Sequence, residues 1–303
     1  MRSLLIFTLV GVGAQLVDGA LGMAFGVTAT TLLVLSSVGA AQASAAVHLA
    51  EVGTTLASGL SHWRFKNIDW SIVLKLGAPG AIGAFAGATV LSSLSTEHAA
   101  PLMAGILVVI GGYVLLRFSL RNPPVLRHGE TPHSAKFLSP LGLFGGFIDA
   151  SGGGGWGPVT TSTLLSRGKT APRTVIGSVS ASEFLVAASA SLGFLIGLRE
   201  EFVQNLPIVL GLAVGGVIAA PIAAWLVSRI SPALLGSAVG GVIVLTNSQK
   251  LVHYFGIEWP WSTALYSSIV IAWASLVLLA WRNSRAPKSV PVTDDVESVA
   301  TRR

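Results

Sequence analysis

The most constraining feature of this 303-residue sequence is a series of long apolar runs that fill almost its whole length. Most of the runs match the roughly 20 residues that an α-helix needs to cross a bilayer. Charged residues make up only 11% of the chain, so there is no room for a soluble domain. The sequence therefore predicts an all-α polytopic membrane protein with apolar runs at residues 4–38, 43–61, 71–93, 99–116, 137–165, 174–198, 206–228, 232–252 and 262–281.

Composition excludes several classes of function. The chain has no cysteine, which rules out disulfides, thiolate metal sites and cysteine nucleophiles. Its formal net charge of +6 does not indicate a nucleic-acid partner, because the basic residues lie in short loops between apolar runs. No motif indicates a bound cofactor or a metal site. The expected surroundings are the lipid bilayer, and the sequence does not define an oligomeric state.

Two glycine-containing segments in the chain resemble each other. LVDGALGMAFG (16–26) aligns with FIDASGGGGWG (147–157), and this alignment pairs acids with acids and glycines with glycines. Hydroxyl residues follow at matching distances in both segments. The matched pairs are Asp18 with Asp149, Gly22 with Gly153, Phe25 with Trp156, Gly26 with Gly157, and Thr30 with Thr161.

The similarity continues along the chain and defines two halves. VHLAEVG (47–53) lies opposite VSASEFL (179–185), which pairs Glu51 with Glu183. GAFAGA (83–88) faces GVIAAP (216–221), and both small-residue stretches suit close helix packing. The sequence predicts a first transmembrane repeat at 1–118, a basic cytoplasmic linker at 119–136, a second repeat at 137–255, an extra helix at 256–282 and a disordered cytoplasmic tail at 283–303.

The positions of lysine and arginine predict the topology. If all runs cross the membrane, these residues are split almost evenly between the two sides. If the first and fifth runs instead enter, break at their glycines and return, sixteen fall on one side and three on the other. Such a bias is typical of cytoplasmic loops. Each half then has one re-entrant hairpin and three spans, so the second half is an inverted repeat of the first. Reversing the first hairpin changes the side of Arg2 alone, so the first hairpin rests on the repeat.

The glycine-rich turn predicts a site for a small anion. Backbone that leaves a helix at membrane depth must be buried in protein or line a wet cavity. Glycines allow a turn with positive φ, and the first turn of the returning half-helix directs free N–H groups and a positive dipole end into that cavity. The alternative is that the glycines only allow tight packing. The predicted substrate-binding residues are Asp18, Gly19, Gly22, Thr30, Asp149, Gly152, Gly153, Gly154, Gly155, Trp156, Gly157 and Thr161.

Several residues in these segments have two interpretations. Asp18 and Asp149 either accept hydrogen bonds from amides at the turn or carry a proton that couples transport. Trp156 either forms a wall of the substrate pocket or fills the core as an aromatic plug. His48 lies one turn before Glu51, and such a pair could bind a metal, but a hydrogen-bonding packing role is the favoured interpretation.

Two further acids, Glu51 and Glu183, lie inside predicted transmembrane helices. Intramembrane acids are costly and mark functional sites by default. The hypothesis is that one or both couple proton movement to anion movement. The alternative is hydrogen bonding to a neighbouring half-helix or hydroxyl.

The chain resembles the TauE/SafE family of sulfite and organosulfonate exporters. The resemblance lies in GFIDASGGGGWGP (146–158), in its weaker copy at 16–26 and in the glutamate about thirty residues later in each half. The resemblance implies a transporter of small sulfur oxyanions in a cell inner membrane, with two related halves. In the second segment the matching residues are Asp149, the glycines at 152–155 and 157, Trp156 and Pro158. In the first segment they are Asp18, Gly19, Gly22 and Gly26. The first segment departs from the glycine-rich form at Leu21, Met23 and Ala24.

The predicted function is a secondary transporter that is not an enzyme and that moves a small anion, with protons as a partner. The alternative in the same architecture is a passive anion channel. An intramembrane hydrolase is disfavoured because the sequence has no nucleophile elbow. A structural scaffold is disfavoured because buried acids and broken helices do not serve simple packing.

Overall fold

The computed structural model describes residues 2–21, 23–120, 133–167, 169–199, 205–227 and 231–285. Across these ranges the chain is all-helical, as the apolar runs predict. The helices are α1 (Arg2–Leu21), α2 (Phe25–Leu35), α3 (Ala40–Arg64), α4 (Trp70–Ser93), α5 (Thr96–Leu120), α6 (Ala135–Gly152), a π-helical turn (Gly157–Thr161), α7 (Ser162–Arg167), α8 (Pro172–Leu198), α9 (Leu206–Val227), α10 (Pro232–Tyr254) and α11 (Trp261–Arg285).

Helix lengths agree with a multi-pass membrane protein. Within the described ranges, four helices are long and apolar enough to cross a bilayer: α4, α5, α8 and the Trp261–Ser284 part of α11. Shorter apolar helices occur at Leu4–Asp18, Phe25–Leu35 and Leu206–Ala219. Most of the predicted linker (121–132) and of the predicted tail (286–303) lies outside the described residues.

The two longest apolar runs are broken where the sequence predicts. The fifth run is split after α6, because Gly153, Gly154 and Gly155 have φ angles of 70°, 144° and 154°. These angles are readily available only to glycine. The first run is split between α1 and α2, where Ala24 has a φ of 93°. Each run therefore consists of two helical segments joined by a turn.

Both broken runs return toward the side from which they enter. In the second, Gly145 of α6 lies against Thr160 after the turn, and the Arg167 guanidinium at the end of α7 lies 3.9 Å from the centroid of the Phe137 ring near the start of α6. In the first, a Cβ added to Gly13 of α1 would lie 3.5 Å from Leu32 of α2. We call α1–α2 the first hairpin and α6–α7 the second hairpin.

Each hairpin packs on a helix of the other half. In α6 and α4, Gly142 lies against Leu76 and Phe147 against Gly87, so these two helices run parallel. In α1 and α9, Phe7 lies against Gly211 and Gln15 against Gly216, which again gives a parallel pair. Helices at matching positions of the two halves run antiparallel. Ser58 of α3 meets Ser180 of α8, and Ser119 of α5 meets Ser237 of α10, each with 2.9 Å between the hydroxyls.

The α4–α6 contact depends on glycine. A Cβ added to Gly146 of α6 would collide with the backbone carbonyl of Gly80 in α4. Backbone cannot yield as a flexible side chain can, so the helices must separate to admit any larger residue. This close packing fixes the second hairpin against the first half of the chain.

We therefore expect Gly146→Leu to destabilise the protein by about 1–3 kcal/mol or more, the usual cost of overpacking. The measurement is thermal unfolding in detergent, followed by size-exclusion chromatography of the heated sample. Gly112→Leu is the matched control, because nothing lies within 4 Å of a Cβ at Gly112. Equal melting temperatures for the two variants would contradict the predicted packing.

Candidate functional site

A cavity of about 180 Å³ lies where the turns of the two hairpins approach α3 and α8. Both halves of the chain contribute to its wall, as expected for a site between two repeats. Its lining residues are Gln15, Asp18, Met23, Ala24, Phe25, Gly26, Val27, Glu51, Thr54, Thr55, Ser58, Asp149, Gly155, Gly157, Pro158, Thr161, Ile176, Val179, Ser180 and Glu183.

Each hairpin turn is closed by an aspartate in the same way. Asp18 Oδ1 accepts a hydrogen bond from the backbone N–H of Phe25 at 3.2 Å. Asp149 Oδ1 accepts one from the N–H of Trp156 at 2.8 Å. In both cases the donor is seven residues further along, at the start of the returning segment, where N–H groups have no partner within the helix. Both aspartates thus adopt the turn-stabilising role that the sequence analysis gave as one alternative.

The two turns touch each other directly. The Thr30 hydroxyl of α2 donates a hydrogen bond to the carbonyl of Gly153. A Cβ added to Gly154 would overlap the backbone of Gly26 and Val27 in the first hairpin. Met23 of the first turn lies against Gly157 of the second, 3.0 Å from a Cβ added there. The floor of the cavity is therefore bare backbone from both hairpins, held together at van der Waals distance.

Two helices supply the polar walls. On α3, Glu51, Thr54, Thr55 and Ser58 face the cavity, and on α8 the lining residues are Ile176, Val179, Ser180 and Glu183. Both sets have the 3–4-residue spacing of one helix face. The Thr55 hydroxyl donates to the carbonyl of Glu51 at 2.5 Å, whereas Glu51 Oε2 is buried without a hydrogen-bond partner among the described residues. A buried oxygen without a partner is costly; protonation would remove its charge, and a bound solute would supply a hydrogen-bond partner.

The charge of the lining is one-sided. Asp18, Glu51, Asp149 and Glu183 all face the cavity, and the lining contributed by the described residues contains no lysine, arginine or histidine. Four ionised carboxylates around so small a volume would repel one another strongly. The cavity therefore favours states in which protons or a cation offset part of this charge.

One basic side chain that is not part of the cavity lining contacts this cluster of carboxyl groups. His48, completely buried on α3, has its Nε2 3.0 Å from Asp149 Oδ2 and its Nδ1 2.8 Å from the Ser44 carbonyl oxygen. The Ser44 hydroxyl donates to the carbonyl of Ala150 at 2.7 Å. These contacts attach α3 to the end of α6. The sequence analysis considered a metal site formed by His48 and Glu51. In the structure the imidazole of His48 instead contacts Asp149 through Nε2 and the Ser44 carbonyl through Nδ1.

The cavity extends toward one side of the protein only. Beyond Glu51, its lining continues along the C-terminal part of α3 and the N-terminal part of α8, where Ser58, Ile176 and Ser180 are partly exposed. In the opposite direction the helices are packed, and residues such as Val47, His48, Val186, Ala190 and Phe194 are buried. The open side carries the loops that are rich in lysine and arginine.

Apart from Trp156, the predicted site residues divide into three groups. Asp18, Asp149, Gly155, Gly157, Thr161, Glu51 and Glu183 line the cavity. Gly152, Gly153, Gly154 and Thr30 form the turn and the contact between hairpins, outside the lining, and Gly19 belongs to α1. Gly22 lies outside the described residues.

Trp156 is packed in the core and does not face the cavity. Its side chain is completely buried, and the indole Nε1 donates to the Val179 carbonyl at 3.2 Å. A Cβ added to Gly80 of α4 would overlap the indole ring. The side chain thus joins the second hairpin to α4 and α8, which is the position of the aromatic plug considered as one alternative.

Sequence reasoning did not identify several lining residues, among them Gln15, Thr54, Thr55, Ser58 and Ser180. The signal was present in the spacing. Thr54, Thr55 and Ser58 follow Glu51 at intervals of three, four and seven, and Ser180 precedes Glu183 by three. Extending the helix face that contains each buried acid by one or two turns would have found them.

The chain was compared with known proteins. A profile of the family described as "Sulfite exporter TauE/SafE" matches residues 7–249. The chain is 49% identical over 282 residues to a protein of Bacillus subtilis (strain 168) named "Probable membrane transporter protein YtnM", and the alignment covers 92% of each chain. No solved structure matches. These matches confirm the family resemblance that the glycine-rich segments indicate: the chain belongs to the TauE/SafE family of membrane transporters.

Proposed function

We propose that this transporter moves a small oxyanion of the sulfite or organosulfonate class together with protons. The observation that supports the proposal best is the shared cavity. The N-terminal ends of two returning half-helices and two intramembrane glutamates line the same volume of about 180 Å³. Helix N-termini favour anions, and protonatable acids in such a place favour proton binding. The family description, "Sulfite exporter", supports the substrate class.

Electrostatics links the anion to the protons. In the part of the chain that the structure describes, the lining has four carboxyl groups and no basic side chain, so an anion entering the ionised cavity would meet strong repulsion. Protonation of Glu51 and Glu183 removes two of these negative charges and converts each carboxylate into an O–H donor for an oxyanion. Each species therefore raises the affinity for the other, and this coupling is reciprocal. A transporter with this site carries anion and protons in the same direction.

The architecture supports an inverted repeat. Helices at matching positions in the two halves run antiparallel where they meet, as the α3–α8 and α5–α10 pairs do. The two hairpins have equivalent aspartate contacts and meet at their turns. We infer two repeats, 1–118 and 137–255, joined by a linker at 119–136 and followed by an extra helix at 256–282. The basic linker and the tail at 283–303 are cytoplasmic in this proposal, in a cell inner membrane.

Inverted repeats permit alternating access to one central site. The polar lining extends toward the side with the basic loops, so we assign the conformation to the state that is open to the cytoplasm. In this state α8 lies along α4: the Ser189 hydroxyl donates to the Ala81 carbonyl at 2.7 Å, and Gly193 packs near Ala88. The matching faces of α3 and α9 are exposed along Gly53, Ala57 and Ser61 and along Leu210 and Val214. Closing of α3 onto α9 is the proposed step to the other state.

A flux assay of the purified protein in liposomes tests the proposal. Sulfite, sulfonates, sulfate and carboxylates are offered at two pH values, with and without an imposed pH gradient. We expect accumulation of a small sulfur oxyanion on the side that the proton gradient favours. In Glu51→Gln and Glu183→Gln, which cannot release a proton, accumulation should fall to equilibration. Glu97→Gln is the matched control, because Glu97 lies in the first turn of α5, away from the lining.

Each contrary result has a distinct meaning. Unchanged proton coupling in both glutamine variants would reject the role of these acids. Anion flux in the wild type that no proton gradient can drive uphill would identify a passive channel. Flux of small cations with no flux of anions would overturn the substrate class, since the four carboxylates would then be ligands for the cation.

A further inference from the structure

We propose that His48 is a positioning residue that neutralises Asp149 with a shared proton and thereby directs the oxyanion to the turn of the second hairpin. This inference rests on the proposed function and adds to it the half of the cavity that binds the anion. It is carried by the hydrogen-bond geometry of His48 and by the absence of a counterpart at the matching position of the first hairpin.

The contacts of His48 require a proton between its side chain and Asp149. A carbonyl oxygen only accepts, so the 2.8 Å contact between Nδ1 and the Ser44 carbonyl places a hydrogen on Nδ1. Nε2 lies 3.0 Å from Asp149 Oδ2. A nitrogen and a carboxyl oxygen at this distance need one proton between them, either on imidazolium or on the carboxyl group. In both cases the pair has no net charge.

The first hairpin lacks this arrangement. The repeat alignment places Ser180 of α8 opposite His48, and the Ser180 hydroxyl lies 2.9 Å from that of Ser58. Asp18 accepts from the Phe25 amide as Asp149 does from Trp156, but no basic side chain contacts Asp18 among the described residues. The two turns therefore have the same backbone form and different charge.

This difference decides where an anion is held. Around the His48–Asp149 pair, the titratable groups are Glu51 on α3, Glu183 on α8 and Asp18 on the first hairpin. When the two glutamates are protonated for transport, Asp18 remains the one carboxylate without a proton partner. Repulsion from Asp18 favours the opposite end of the cavity, where Gly155, Gly157 and Thr161 line the wall. The second turn is therefore the oxyanion subsite.

His48→Gln separates the charge from the packing. Glutamine can still donate a hydrogen bond to Asp149, but it carries no titratable proton. Asp149 then becomes a full negative charge near the subsite at high pH and is neutral only when it is itself protonated at low pH. We expect KM for sulfite to rise roughly tenfold at the higher pH, with little change in kcat, and to approach the wild-type value at the lower pH.

The double variant His48→Gln with Asp149→Asn supplies the rescue. The amide group that replaces the carboxyl group keeps an oxygen that can accept the Trp156 N–H, and the pair is again neutral at every pH. Its KM should return toward the wild-type value at the higher pH. Ser180→Ala at the equivalent position of α8 removes a lining hydroxyl but no titratable group, so any change in its KM should be equal at the two pH values. Size-exclusion chromatography of every variant confirms that it is folded.

The results separate this inference from the proposed function. A pH-independent rise in KM for His48→Gln, or no rescue by Asp149→Asn, would overturn the neutralising role and leave the transport function standing. If the wild type carries no oxyanion, the proposed function itself fails. A KM profile of His48→Gln that matches the wild type at both pH values would also overturn the inference.

Discussion

Replacing Gly154 by alanine should abolish transport and lower the stability of the whole protein. Gly154 has a φ of 144°, a backbone conformation that residues with a side chain rarely adopt. Backbone strain of this kind costs roughly 1–3 kcal/mol. In addition, the new Cβ would overlap the Val27 nitrogen and the Gly26 carbonyl carbon of the first hairpin. Both contacts are with backbone, so relief requires the two turns to separate, which destroys the cavity floor.

Two other glycines of this chain separate the causes of that loss. Gly256 also has a positive φ, 62°, but nothing lies within 4 Å of a Cβ there, so Gly256→Ala has the strain without the collision. Gly105→Ala has neither. We expect melting temperatures to fall in the order Gly105→Ala, Gly256→Ala, Gly154→Ala, with flux lost only in the last. If Gly154→Ala retains wild-type flux, the contact between the two turns is not needed for transport.

The sequence was sufficient to predict the broken runs. Four consecutive glycines at 152–155 are poor helix formers, and the aligned segment near Asp18 keeps the aspartate and some of the glycines. The sequence also indicates Glu51 and Glu183 as site residues, because acids inside apolar helices are costly and mark functional sites by default. Both line the cavity, and their role in proton coupling stays a prediction. These positions could be predicted because they depend on local conformation and on the cost of burying charge.

The contacts between halves could not be predicted in the same way. His48 and Asp149 are 101 residues apart, and only the packing of α3 against α6 brings them together. Ala24 takes a φ of 93° although the sequence has no glycine there. That conformation is held by surrounding structure, since Met23 and Phe25 on either side are buried. Trp156 was ambiguous because its side chain could equally have faced the cavity or the core from a turn of unknown geometry.

The largest functional effect without loss of folding is expected at Gly53 of α3. The repeat alignment pairs Gly53 with Leu185, and Leu185 of α8 packs on Gly77 of α4, where a Cβ added to Gly77 would lie 3.2 Å from its Cδ1. In the register of 83–88 with 216–221, Gly77 corresponds to Leu210 of α9, which is 59% exposed. The repeat thus exchanges the large and small positions between the halves: Leu185 packs on Gly77 in one half, and the alignment assigns Gly53 and Leu210 to the equivalent positions in the other.

Gly53→Leu should therefore fold normally and transport poorly. Nothing lies within 4 Å of a Cβ at Gly53 in the present conformation, so the new side chain is accommodated. Closing α3 onto α9 would then bring two leucines together where one fits. We expect flux to fall by about fivefold to 150-fold, which corresponds to an overpacking cost of about 1–3 kcal/mol in the closed state. Adding Leu210→Gly restores a large–small pair and should recover flux.

Cross-linking tests the same movement directly, because the chain has no cysteine of its own. Ser189 contacts Ala81 in the present conformation, and the repeat pairs these positions with Ala57 and Val214. We expect Ala81→Cys with Ser189→Cys to cross-link in the absence of substrate. Ala57→Cys with Val214→Cys should cross-link faster when sulfite and protons are supplied, and the bond should stop flux. If the second pair never cross-links during transport, α3 does not close onto α9, and Gly53→Leu should then be as active as the wild type.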